Sequence, residues 1–250
     1  MENINIFSVN RVWLLIRRNA VLNRKTWLLG FAACSGVLII ISLLLAYRSG
    51  GNFNLQAIVL IGHFLIFIEG FILTSRVFHE IQTPARSQFY LTLPARTSEK
   101  LISNWLLSSF IYIVAAYAGL FLVLVVASLL AAGIFNSPIE VFNPFSAQQV
   151  ELMGHYLVLQ TIFFLGSVYF RKNNFLNTVL SVFAVGIVLS IWSGLVGWML
   201  LPIPNFAITV HEFELYSENG LKILFGVLYW GLFAPFFLTV SYFTLKEREI

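Results

Sequence analysis

A carboxylate, Glu69, stands inside the apolar run 55–74, with His63 six residues before it and Arg76 seven residues after it. A charge at bilayer depth costs about 2.5–3.5 kcal/mol on insertion scales, so Glu69 needs either a partner or a task. Arg76, on the same helical face, is the basic partner the spacing offers; hydrogen bonds within a bundle would also serve. A place on a translocation path or at a helix hinge is the task. His63 lies outside i,i+3 and i,i+4 pairing with Glu69, so the two form no local dyad. His155 and Gln160, in another apolar run, read as polar groups of a bundle interior.

Other chemistries fail on residue type. His79-Glu80 begins a helical zinc motif, but the second histidine, due at position 83, is a threonine. Four scattered histidines and the lack of any aspartate leave no expected metal centre and imply no cofactor. Ser193 precedes Gly194, but Ile191 stands where a nucleophile motif needs glycine. A phosphate-cradling loop requires Gly-Lys, and that dipeptide does not occur. Gly186, Ser190 and Gly194 form a small-residue stripe at four-residue steps, a pattern that lets helices approach closely within one chain or between chains. Packing within the chain is the preferred reading.

The elements that must position these groups follow from composition. With 59% hydrophobic and 10% charged residues, the chain departs from soluble domains, which carry about 25% charged residues. Apolar runs at 27–47, 55–74, 105–132, 152–170, 175–201 and 221–244 match the roughly 20 residues needed to cross about 30 Å of hydrocarbon. A β-barrel would show short alternating segments instead. The expectation is an all-α polytopic membrane protein, a single domain over 1–250 with six spans. No segment outside the spans is long enough for a second soluble domain. The single cysteine, Cys34, excludes an intrachain disulfide. The first 25 residues carry five basic residues and no apolar core long enough for a cleavable signal peptide.

Residues 4–25 read as an amphipathic helix on the membrane surface, the alternative being an unstructured basic tail. Ile6, Val9, Val12, Trp13, Ile16 and Ala20 fall on one side, and Arg11, Arg18 and Lys25 recur every seven residues on the other. With the N-terminus inside, the cytoplasmic segments hold thirteen basic residues: Arg11, Arg17, Arg18, Arg24, Lys25, Arg76, Arg86, Arg96, Lys100, Arg171, Lys172, Lys246 and Arg248. Only Arg48 and Lys222 remain outside. That bias puts both termini in the cytoplasm. The basic residues sit at span ends, where they meet anionic lipid, so the net charge of +4 implies no nucleic-acid partner.

The same orientation places 75–105 in the cytoplasm. This interval is polar yet keeps Phe78, Phe89, Tyr90, Leu91 and Leu93, anchors that a plain connection does not need. Pro84 and Pro94 bracket a stretch long enough for two helical turns. Thr97 or Ser98 can cap the next helix, with Glu99 at its positive end. The stretch reads as a short docking helix, or as an interfacial helix resting on lipid.

Phe89-Tyr-Leu-Thr-Leu-Pro-Ala-Arg-Thr-Ser-Glu-Lys-Leu is similar to the Leu-Pro-x-Ser/Thr-x-x-Glu-Lys pattern that follows the second span in membrane subunits of ABC-2 type transporters. The order of N-terminal interfacial helix, six spans and basic tail Tyr242-Phe-Thr-Leu-Lys-Glu-Arg-Glu resembles that family over the whole chain. The resemblance implies a permease subunit in a bacterial plasma membrane, working as a homo- or heterodimer with a separate ATP-binding cassette ATPase. It also implies that the 85–93 stretch is a coupling helix, with Arg86, Phe89, Tyr90, Leu91, Arg96, Glu99 and Lys100 as its contact and electrostatic residues. A membrane-embedded enzyme using His63, Glu69 or His155, and a non-transporting structural protein, are the competing readings.

Overall fold

The computed structural model describes residues 7–82, 87–88, 90, 92–200 and 223–248. Helix α1 is Val9–Arg48, α2 Leu55–Ser75, and α3 the single turn His79–Gln82. Helix α4 is Thr97–Phe135, α5 Ala147–Tyr169, α6 Asn174–Leu200 and α7 Ile223–Arg248. All except α3 are long and apolar enough to cross a membrane, six among the described residues. The described residues form helices and connections with no strand among them, and the six long apolar helices mark a multi-pass membrane protein.

The separate surface helix expected at 4–25 is corrected from Val9 onward. These residues open one continuous helix of 40 residues, about 60 Å long at 1.5 Å per residue. That is twice the roughly 30 Å of hydrocarbon, so one end of α1 stands clear of the span. No proline or glycine lies between Val9 and Trp27 to break it, and its inner face finds protein to pack on. Val12 and Ile16 join Leu107, with Ile102 and Leu106 beside them. The buried stripe is Val12, Leu15, Ile16 and Asn19, whereas Val9 and Trp13 remain exposed.

Other helices overrun their apolar windows because their ends are satisfied by polar groups. Helix α4 starts at 97, not 105, with Arg96 as its N-cap. Neither Thr97 nor Ser98 caps it; the Glu99 carboxylate folds back onto the Arg96 N–H at 3.0 Å. Helix α7 runs to 248, not 244, with Lys246 and Arg248 in its last turn, where positive charge suits the negative end of the helix dipole. The α1–α2 turn forms where glycine and asparagine favour it. Gly50 and Gly51 take φ of 66° and 97°, and Asn54 caps α2 by accepting the Ala57 N–H at 3.0 Å.

Helices α2, α4 and α5 form the centre, around Ile58, Ile66, Leu124, Ala127 and Tyr156. Two π-helical stretches, Leu107–Ile111 in α4 and Leu228–Phe233 in α7, each contact α5. In the first, the Ser108 carbonyl accepts the Tyr156 hydroxyl at 3.0 Å. In the second, the Tyr229 hydroxyl lies 2.9 Å from Nδ1 of His155. Such widened turns are uncommon and concentrate where function needs an irregular backbone. Helix α6 contrasts with this centre, exposing nearly every side chain from Val179 to Met199. Apolar side chains exposed in this way suit lipid contact, which a hydrocarbon environment does not penalise.

Candidate functional site

The connection from α2 to α4 is fastened to the bundle by polar groups. The Glu99 carboxylate has no solvent exposure. Its Oε1 accepts the Ser8 N–H at 2.8 Å, Arg11 Nε at 3.2 Å and Arg11 Nη2 at 2.9 Å. Its Oε2 takes the Arg96 N–H. This one side chain therefore closes the start of α4 and latches the start of α1 onto it. Charge-assisted bonds of this kind are roughly twice as strong as neutral ones.

A second chain of contacts crosses the same end. Arg18 Nη2 meets both Glu80 oxygens, at 2.9 and 3.2 Å, while Arg18 Nη1 donates to Asn19 Oδ1 at 3.0 Å. Asn19 Nδ2 donates to Asn104 Oδ1 at 2.6 Å, and Asn104 Nδ2 to the Tyr90 hydroxyl at 3.1 Å. α1, α3, α4 and the segment before α4 are thereby joined. Phe78 and Tyr90 add an apolar anchor, packed with Leu101, Phe164, Val168 and Leu245.

The carbonyls in and beyond the last turn of α5, which have no partner inside their own helix, are taken up from three directions. Gln82 Nε2 donates to the Ser167 and Phe170 carbonyls at 2.9 and 3.1 Å. Arg248 Nη2 reaches the Tyr169 carbonyl at 2.7 Å. Asn174, opening α6, bridges the Ser75 and Ser167 carbonyls at 3.1 and 3.2 Å.

Of the docking residues nominated from the sequence, Arg86, Phe89 and Leu91 lie outside the described residues. Tyr90, Glu99 and Lys100 are buried, with Lys100 Nζ 5.3 Å from the Tyr90 ring centroid; Arg96 is half-buried. Tyr90, Glu99 and Lys100 thus face the interior of this end and shape it from within. The residues that sequence reasoning missed are Arg11, Arg18, Asn19, Gln82, Asn104 and Asn174. Asn19 and Asn104 each carry a usable signal: an amide placed on the same helical face as buried aliphatic neighbours.

Inside the bundle, the nominated groups separate. Arg76 caps α2 and is exposed; it forms no ion pair with Glu69, correcting the expected basic partner. Glu69 faces Cys34 of α1 and Tyr112 of α4. His63, buried, holds the Val59 carbonyl through Nδ1 at 2.7 Å and lies against the rings of Tyr117 and Phe142. His155 faces Tyr229 and Trp230. Among the described residues the small-residue stripe on α6 meets no neighbour: a Cβ added at Gly186 or Gly194 would find none of their atoms within 4 Å. The preferred packing within the chain is not seen among the described residues. Compared with family models, curated proteins and solved structures, the chain matches none of them.

Proposed function

We propose that the chain is the membrane permease subunit of an ATP-binding cassette transporter of the ABC-2 type, forming the translocation path as a dimer and driven by ATPase subunits on separate chains. Its place is the bacterial plasma membrane, with both ends in the cytoplasm; the concentration of basic residues at that end of the helices supports this orientation. The observation that carries the reading is mechanical. The connection between α2 and α4 is fastened to α1 through Glu80, with Glu99 in the first turn of α4 making a second tie to α1, to the end of α5 through Gln82, and to α7 through the packing of Phe78 and Tyr90 near Leu245. A displacement applied at 83–93 by a nucleotide-driven partner would therefore be transmitted to the helices around the bundle. A passive connection would have no use for so many attachments.

The test is co-purification of the chain with its ATPase after Arg86→Ala and Phe89→Ala substitution. Loss of the ATPase with the chain still present in the membrane is the expected result. Intact association and transport would remove the coupling role. Orientation is checked separately with Ser87→Cys in a Cys34→Ser background, where labelling by an impermeant reagent from outside intact cells would reverse the topology. The reading as an enzyme gains no specific support, because His63, Glu69 and His155 face three different neighbourhoods.

A further inference from the structure

The helices do not share one level at the end of the bundle that carries the α1–α2 turn. Helix α2, at 21 residues, is about 30 Å long and matches the hydrocarbon thickness. The turn before it sits level with the end of α4, since a Cβ on Gly51 would lie 3.1 Å from the Phe135 carbonyl oxygen. Helix α5 runs alongside α2 in the same direction but starts deeper. Its Tyr156 packs on Gly70, nine residues from the start of α5 but fifteen from the start of α2. Gln149 faces His63, two residues from the start of α5 and eight from that of α2. Both registers put the start of α5 six residues, or about 9 Å, inside the level of its neighbours.

The α4–α5 connection, 136–146, therefore descends into the span. The Glu140 N–H donates to Ser128 Oγ at 3.1 Å, about 10 Å down α4 from its end at Phe135. Phe142 is buried against the His63 ring, whereas Ile139, Val141 and Asn143 are exposed. Among the described residues, the N–H groups of Ile139, Val141, Phe142 and Asn143 find no acceptor. Irregular backbone that protein does not cover persists at membrane depth only where it lines water. The side chains agree. Glu151 is 67% exposed about 15 Å inside, where a carboxylate facing lipid is costly. Gln148, on the same helical face, is exposed too. Beneath the connection, His63 Nε2, Gln149 Oε1 and the Tyr117 hydroxyl are buried without a partner among the described residues, a setting in which ordered water is usual.

From Asn136 to Phe170 the chain has no Lys or Arg. The charges on this stretch are Glu140 and Glu151, with Arg48 at the rim, in the last turn of α1. We propose that the connection and the start of α5 line a water-filled recess that favours small cations over anions. A permease would use it as the mouth opposite its coupling segment. The recess rests on helix levels alone, so its failure and that of the permease reading are separate results.

Single cysteines in a Cys34→Ser background test both parts. The full chain in phosphatidylcholine nanodiscs, open to solution on both faces, is treated with a cationic or an anionic methanethiosulfonate. Val126→Cys, at similar depth on α4 and 46% exposed, is the lipid-facing reference. Glu151→Cys should react at least about a hundredfold faster than that reference, because a charged reagent enters hydrocarbon at high cost. Asn143→Cys, on the connection itself, should do the same and serves as a reporter independent of α5. Gln148→Cys keeps both carboxylates and should prefer the cationic reagent by about tenfold, relative to a free thiol. Adding Glu151→Gln should remove most of that preference, as should salt at about 1 M. Labelling as slow as that of Val126→Cys, at either recess position in a chain that elutes as the wild type does, would overturn the recess. A cation preference that is absent, or unchanged by Glu151→Gln, would overturn its selectivity.

Discussion

Two carboxylates in this chain occupy opposite situations. Glu99 is sealed from solvent and surrounded by donors from Ser8, Arg11 and Arg96. Glu69 lies at a groove within the spans, with no cation among the described residues paired to it. The first is fully used by the fold: its charge is neutralised by Arg11, and its remaining lone pairs accept backbone donors. The second is left to bear its desolvation cost without a salt bridge, a combination that points to a role outside folding. Burial of an acidic group therefore says little by itself. The number and charge of its donors distinguish a structural latch from an available site.

The contrast is broken or sharpened by substitution, read as thermal unfolding of the purified chain in detergent. Glu99→Ala should be the most damaging, costing about 3–5 kcal/mol, because it takes the buried carboxylate away from Arg11 and strips the start of α4 of its cap. If Arg11→Ala made a preceding Glu99→Ala no worse than either single change, the shared origin of the effect would be established by the double-mutant cycle. Asn104→Ala should come next, at about 1–3 kcal/mol, since it removes a buried hydrogen bond from the Asn19 amide and another from the Tyr90 hydroxyl. Arg18→Ala should cost under about 1 kcal/mol: the Arg18 and Glu80 side chains are 31% and 25% exposed, and such pairs are screened. Glu69→Gln should have the smallest effect on stability, within about 0.5 kcal/mol or on the stabilising side, because no partner charge is stranded. A loss for Glu69→Gln comparable to that for Glu99→Ala would make Glu69 a second latch and erase the distinction.

The helix ends show why the sequence was only partly legible. Apolar windows locate 55–74 almost to the residue, because α2 begins at a capped turn and ends near an exposed arginine. They miss the starts of α4 and α5, since helical hydrogen bonding continues through Thr97–Asn104 and from Ala147 without any need for apolar side chains. The α1 surface helix was misplaced for a related reason. Periodicity identifies an apolar stripe but not what covers it, and here Leu107 covers part of that stripe in place of lipid. Tyr90, read as a contact for another chain, has the aromatic character of a docking residue; the same character suits the pocket formed by Phe78, Phe164 and Leu245.

What the sequence determined by itself is the membrane class, the six spans and the concentration of basic residues at alternate helix ends. Hydrophobic length and charge at a boundary are local properties, summed over consecutive residues, and no neighbour can alter them. Which helices touch, and therefore which charges find partners, belongs to the tertiary structure. Arg11 and Glu99 are 88 residues apart, and no helical period links them. Glu69 has Arg76 seven residues away on its own face, yet is left without it, because Arg76 turns outward at the end of α2 while α1 brings Gly30 and Cys34 against the carboxylate.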